Sequence, residues 1–119
     1  MTKDISKKEK KPCKINLSEE LLGLIEYKSK LEDKFIEEIF RDAIMQLLLP
    51  RLGEIGLGHP DFKFNAPLMK SPGIKDTMFW MNIKLWARVK EIKMLYRVSI
   101  HAIVYTAILN HLEQYKNKG

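Results

Sequence analysis

The chain is 119 residues long, 45% hydrophobic and formally +6 at pH 7, with one cysteine, Cys13. That length holds one domain or two very small ones with a shared core, and it is short for a multi-domain enzyme. A single cysteine excludes an internal disulfide, no stretch reaches the roughly 18 apolar residues of a membrane span, and the N-terminal residues hold no signal-peptide run. An intracellular, cytoplasmic setting away from membranes is therefore expected.

The charge is unevenly spread. Residues 1–16 carry six lysines against Asp4 and Glu9, whereas residues 17–50 carry eight acidic and four basic groups, and residues 76–119 return to a basic excess of seven against three. Opposite signs in neighbouring segments suggest one face for a polyanion and another for water. Residues 1–11 read as a basic, flexible N-terminal arm.

In residues 12–17 the apolar positions Cys13, Ile15 and Leu17 alternate, as in a half-buried strand. Ser18 is placed to cap a helix whose start is acidic (Glu19, Glu20) and whose apolar stripe runs through Leu21, Leu22, Ile25 and Leu31. The phase resets near Glu32 and Asp33, with Asp33 the expected cap of a second helix. That helix presents Ile36, Ile39, Phe40, Ala43, Ile44, Leu47 and Leu48 until Pro50 ends it. Residues 51–75 form a linker rich in Gly and Pro that also carries Phe62, Phe64, Leu68 and Met69; these are expected to dock on the protein's own helices, the alternative being another chain. Thr77, Phe79 and Met81 then alternate, Asn82 caps a helix with Leu85, Trp86, Val89 and Ile92, and Ser99 caps a last helix with Ile103, Val104, Ala107, Ile108 and Leu112.

The two ends of the chain repeat one pattern. A shift of 64 residues superposes Leu21 on Leu85, Leu31 on Leu95, Ile36 on Ile100, Ile39 on Ile103, Ala43 on Ala107, Ile44 on Ile108 and Leu48 on Leu112. Each copy reads strand, helix, turn, helix. A lone short strand leaves its backbone groups without partners, and the second copy supplies the missing strand.

The strand, the capped helix and the opening of the last helix, with Val98, Ser99, Ile103, Ala107 and Ile108, resemble the ribbon-helix-helix DNA-binding family of the Arc and methionine repressors. The first copy keeps Ile39, Ala43 and Ile44 but has Phe35 where the second has Ser99. Two motifs in one chain resemble the double ribbon-helix-helix regulators of archaeal filamentous viruses, and the Lys, Glu and Ile content suits a thermophilic host. The resemblance implies a mainly α fold with a two-stranded antiparallel ribbon: a tandem ribbon-helix-helix of two β-α-α units, at 12–50 and 76–119, forming an intramolecular pseudo-dimer. It also implies a sequence-specific transcription regulator in the cytoplasm, that of the host cell if the protein is viral, which inserts the ribbon into the major groove of double-stranded DNA.

On that frame Lys14 and Asn16 are the expected base-contacting residues of the first strand, and Met78 and Trp80 those of the second. An alternative register would extend the second strand and use Asn82 and Lys84. Phosphate contacts are expected from Lys11, from Lys34 and Phe35 at the start of one second helix, and from Ser99 and Ile100 at the start of the other. Lys84, Arg88, Lys90, Lys93 and Arg97 suggest stronger backbone contacts on the second half. Pairing of two ribbons on neighbouring sites implies a homodimer or higher homo-oligomer, with the linker around Phe62 and Phe64 and the last helix with His111 and Tyr115 as candidate surfaces.

No spacing points to catalysis. His59, His101 and His111 share no metal-ligand spacing, no Gly-rich phosphate loop or nucleophile elbow occurs, and no cofactor, metal or small-molecule substrate is expected. His111 falls on the core position of Leu47, and Cys13 reads as a small apolar strand residue. The other readings are a protein-binding module, antitoxin-like or virion-associated, and a nonspecific basic DNA-coating protein.

Overall fold

The computed structural model of the chain describes residues 10–51, 54 and 56–118, with side chains as far as 113. The reading of residues 1–9 as a flexible arm, and the side chain of Tyr115, lie outside these. In chain order the elements are β1 (Lys10–Ser18), α1 (Glu19–Glu32), α2 (Ile36–Leu48), β2 (Ile74–Asn82), α3 (Ile83–Tyr96) and α4 (Ile100–Lys118). The fold is mainly helical around one two-stranded antiparallel sheet. Each element of the second half starts 64 residues after its counterpart. The left-handed turn residues between the helices, Asp33 (φ 53°) and Arg97 (φ 55°), obey the same shift.

Both strands begin earlier than the alternation indicates. Lys10 and Lys11 lie in β1 rather than in an arm, and β2 starts at Ile74. Alternation marks only the part of a strand that buries side chains; the first residues here extend the pairing while staying largely solvent-exposed. The register runs from Lys10↔Asn82 to Ser18↔Ile74. It places Cys13, Ile15, Leu17, Phe79 and Met81 on one face, all buried, as the period of two requires.

That face packs on α2 and α4, and the halves cross: α2 contacts β2, and α4 contacts β1. The Phe40 ring of α2 stacks on Phe79 of β2 with centroids 4.3 Å apart and planes within 6°. Ile39, Ala43, Ile44 and Leu47 meet Ile103, Val104, Ala107, Ile108 and Leu112 in one core to which both halves contribute. Leu31, expected in the apolar stripe of α1, and its repeat counterpart Leu95 are exposed. Each lies six residues beyond a buried anchor (Ile25, Val89), about 600° around the helix and so on another face. Ile36, also expected inside, is 41% exposed.

Local chemistry sets the helix ends. Ser18 accepts from the Leu21 N–H at 3.2 Å, Asn82 Oδ1 from the Lys84 N–H at 2.8 Å, and Ser99 Oγ from the Ala102 N–H at 3.0 Å. These caps satisfy donors that a helix start otherwise leaves open. Asp33 does not cap α2; its positive φ closes α1, and the N-cap of α2 is Phe35, which has no side-chain acceptor. The Glu38 carboxylate compensates in part by accepting from the Phe35 N–H at 3.1 Å.

The linker docks on the protein's own helices through Leu57, Phe62 and Phe64, whereas Met69, expected to dock with them, is 84% exposed. The Leu57 N–H donates to Leu47 O at 3.0 Å, and Gly56 lies so close beneath it that a Cβ there would meet Leu47 O at 2.8 Å. Phe62 and Phe64 are half-buried and meet edge to face, and Phe64 meets Tyr96 with centroids 5.5 Å apart. The Asn65 N–H donates to the fully buried Thr106 hydroxyl at 2.8 Å. Gly73, at φ 84°, turns the chain into β2. Among the described residues no single helix is long and apolar enough to cross a membrane.

Candidate nucleic-acid interface

With the odd-numbered side chains of the ribbon's centre buried, the even-numbered ones form its outer face. From one end to the other the facing pairs are Lys10 and Asn82, Pro12 and Trp80, Lys14 and Met78, Asn16 and Asp76, and Ser18 and Ile74. Lys14 is exposed, as are Met78 (54%) and Trp80 (43%), two large apolar side chains that the core does not take in. The second strand therefore follows the register that turns Met78 and Trp80 outward. The alternative register fails at its second residue: β2 ends at Asn82, whose side chain caps α3, and Lys84 lies in that helix's first turn.

The linker borders one end of this face. Asn16 Nδ2 donates to Leu68 O at 3.1 Å, and the Lys70 ammonium lies 3.5 Å from Asp76. Asn16 is thus half-buried and has one amide hydrogen engaged by the chain itself, leaving its other hydrogen and Oδ1 to act outward. The opposite end gains Lys10, which sequence reasoning assigned to the arm. Its signal was present in the even phase Lys10, Pro12, Lys14, but an exposed strand end has no hydrophobic marker.

The starts of α2 and α4, expected to hold phosphate, differ. At α2 the Phe35 N–H is occupied by Glu38. The Lys34 ammonium is 2.8 Å from Asp42 and 3.5 Å from Glu32, and the hydrogen bond to Asp42 holds its pKa above the usual lysine value. Two acidic partners and a glutamate over the helix start leave this end a poor anion site. The first turn of α4 carries no acidic residue of its own, but the Ser99 hydroxyl accepts from the Ala102 N–H, and Ile100 packs its side chain on the core. Lys11 is exposed on β1. Lys84, Arg88, Lys90 and Lys93 along α3 and Arg97 in the turn that follows are all exposed, which gives the second half the stronger positive surface.

Beside the Trp80 end lies an open groove of about 1000 Å³ between the α1–α2 turn and the β2–α3 junction. Phe35 (81% exposed), Ile36, Met45 and Trp80 form its apolar wall, and Lys10, Lys84 and Arg88 its cationic one.

Two titratable groups, Cys13 and His111, face inward. Burial pushes the Cys13 thiol up to about 11, as suits a side chain packed among apolar neighbours. Nδ1 of His111 lies 2.8 Å from Gln46 Oε1, and Nε2 is buried without a partner; burial, then the nearby Lys28 charge, holds its pKa below the usual value. Of the residues expected to join two chains, Phe62 and Phe64 are half-buried against the protein's own helices, and His111 bonds Gln46 across the α2–α4 pair. No protein-family model matches the chain, and no curated protein or solved structure matches it.

Proposed function

We propose that the chain is a tandem ribbon-helix-helix regulator that binds specific double-stranded DNA by laying the outer face of β1 and β2 in the major groove. The observation that carries this reading is the ribbon itself. Its central facing pair, Lys14 and Met78, are also residues related by the 64-residue repeat, which is the pairing that a dimer built within one chain would require. A two-stranded ribbon fits the width of the major groove, and its outer face carries groups suited to base edges. Lys14 donates to guanine O6 or N7, and Met78 and Trp80 suit thymine methyls. Asn16, oriented by Leu68 O, keeps the donor and acceptor that adenine needs. Lys10, Lys11 and the α3 cations supply phosphate contacts, whereas Lys34 and Phe35 are engaged within the chain. In this reading a homodimer places two ribbons on neighbouring sites, through surfaces other than the docked linker.

Selection of duplexes from a random pool, followed by binding of the selected and a scrambled duplex, tests the proposal. Lys14→Ala is expected to weaken the selected duplex by about 1–3 kcal/mol and leave the scrambled one nearly unchanged. Deletion of residues 1–9 is expected to lower affinity for both and to reduce the salt dependence. A pool without enrichment, or an equal loss on both duplexes with Lys14→Ala, overturns sequence-specific reading by the ribbon.

A further inference from the structure

The groove beside Trp80 has a counterpart that is already filled. In the second half, the linker touches Tyr96 through Phe64, Thr106 through the Asn65 N–H, and Asn16 through Leu68 O. The 64-residue repeat carries those three residues onto Glu32, Asp42 and Trp80. Trp80 lines the open groove, and Lys34 in its wall is paired with both Glu32 and Asp42. The two channels are therefore equivalent places on the two halves. One holds an extended segment anchored by aromatic rings and backbone hydrogen bonds; the other holds nothing from the described residues.

We propose that this open groove is a docking site for an extended, acidic segment of a partner protein that inserts an aromatic side chain between Phe35 and Trp80. The proposal goes beyond DNA recognition and does not depend on it. Phe35 marks the site. At the equivalent place Ser99 caps α4, and a serine in place of Phe35 would offer α2 the same hydrogen bond. The chain instead holds a phenylalanine 81% exposed over an apolar wall, a local choice that folding alone does not explain. Ile36, Met45 and Trp80 continue that wall, and an aromatic ring between them buries surface that water now covers.

Charge selects the occupant. Lys10, Lys84 and Arg88 line one side; on the other, Lys34 and Arg41 are in ion pairs with Asp42 and Glu38, and Glu37 is an exposed carboxylate, so the cationic side is where an incoming acidic group would sit. The exposed positive charge favours carboxylates on the incoming segment. The linker of a second copy is the wrong partner on this ground, because residues 51–75 carry four basic groups against two acidic ones. Duplex DNA supplies the negative charge but no aromatic side chain to fill an apolar wall.

The experiment is a titration of the isotope-labelled full chain, without DNA, with a synthetic peptide of the sequence of residues 61–68 in which Lys63 is replaced by Glu. Saturable amide shifts at Phe35 and Ile36 and quenching of Trp80 are expected, with weaker binding when Lys63 is kept. Phe35→Ser is expected to weaken the peptide by about tenfold or more while leaving thermal stability equal or higher, since the new hydroxyl caps α2. Trp80→Ala, a second variant in the same apolar wall, is expected to weaken the peptide as well. The proposal is overturned if shifts fail to saturate, if they cluster at Tyr96 and Thr106 because the peptide displaces the linker, or if Phe35→Ser binds as well as the parent. It is equally overturned if duplex DNA shifts Phe35 and Ile36 and the peptide does not. Failure of DNA recognition leaves the peptide titration unaffected, so the two readings fail separately.

Discussion

Phe35 and Ser99 stand at the same place in the two halves, each opening a helix that packs across the other, and they do opposite things. Ser99 closes a helix end with its hydroxyl; Phe35 leaves that end to Glu38 and spreads a ring over an open groove. The same division runs through the neighbouring residues. Acidic Glu19, Glu20 and Glu26 on α1 correspond to Ile83, Lys84 and Lys90 on α3, and the channel filled by the linker on one side is open on the other. Core positions must match because the halves share one packed interior, in which a change of even one methylene is felt. Edge positions answer to solvent rather than to the shared interior, so the two halves are free to differ there.

The sharpest way to break the comparison is inside the shared core. Phe40 and Val104 are repeat counterparts, both fully buried, yet only the Phe40 ring stacks on Phe79. Phe40→Ala is expected to lower stability by about 3–5 kcal/mol, measured by urea denaturation, and to loosen both halves together because α2 contacts β2 across the repeat. A loss of structure confined to residues 10–51 in hydrogen exchange would show that the halves are separable and would sink the single-core account.

The next effect is smaller and runs in opposite directions at the two helix starts. Ser99→Ala is expected to destabilise by about 0.5–2 kcal/mol. Phe35→Ser is expected to be neutral or stabilising by up to about 1 kcal/mol, because it adds a cap and removes an exposed ring. Thermal melts of both variants compare them directly. Destabilisation by Phe35→Ser would mean that the ring contributes to folding and would remove the reason for assigning it to a ligand.

The order of elements and the strand that pairs with β1 were legible in the sequence because burial leaves a period. Alternation at Cys13, Ile15 and Leu17 and at Phe79 and Met81 fixes which faces are inside, and the 64-residue repeat supplies the partner. What escaped reading lacks such a period. The end residues Lys10 and Ile74 belong to strands without being deeply buried. Asp33 has the chemistry of an N-cap but the backbone of a left-handed turn, in which its N–H closes the end of α1. The binding of Asn16 to Leu68 O joins residues 52 apart through a backbone carbonyl, which no side-chain pattern announces. The candidate site was legible at Lys14, Met78 and Trp80 for the complementary reason: they are the positions that alternation leaves outside. The groove was not, since it arises only when the α1–α2 turn is brought beside β2.

The smallest expected effect concerns another pair of counterparts, Leu47 and His111, and it appears as a pH dependence. Leu47 is buried and apolar; His111 fills its place in the second half with a ring whose Nε2 has no partner. Desolvation is the main reason its folded pKa lies below 6.5, with Lys28 adding repulsion while Asp42 and Glu32 oppose it. Above 6.5 the histidine is neutral in both folded and unfolded chains and stability does not depend on it. As the pH falls through 6.5 the unfolded chain takes up a proton that the folded one resists, so stability declines until the folded group also titrates. The window for observing this alone closes near 4.5, where Glu32, held low by its hydrogen bond to Lys28, begins to contribute a loss of the same sign. Urea midpoints measured from about one pH unit above 6.5 to about one below are expected to fall for the parent chain. His111→Leu, which restores the residue type of its counterpart, is expected to flatten that fall. An undiminished slope in His111→Leu would assign the pH dependence to another group and leave the buried Nε2 without an energetic consequence.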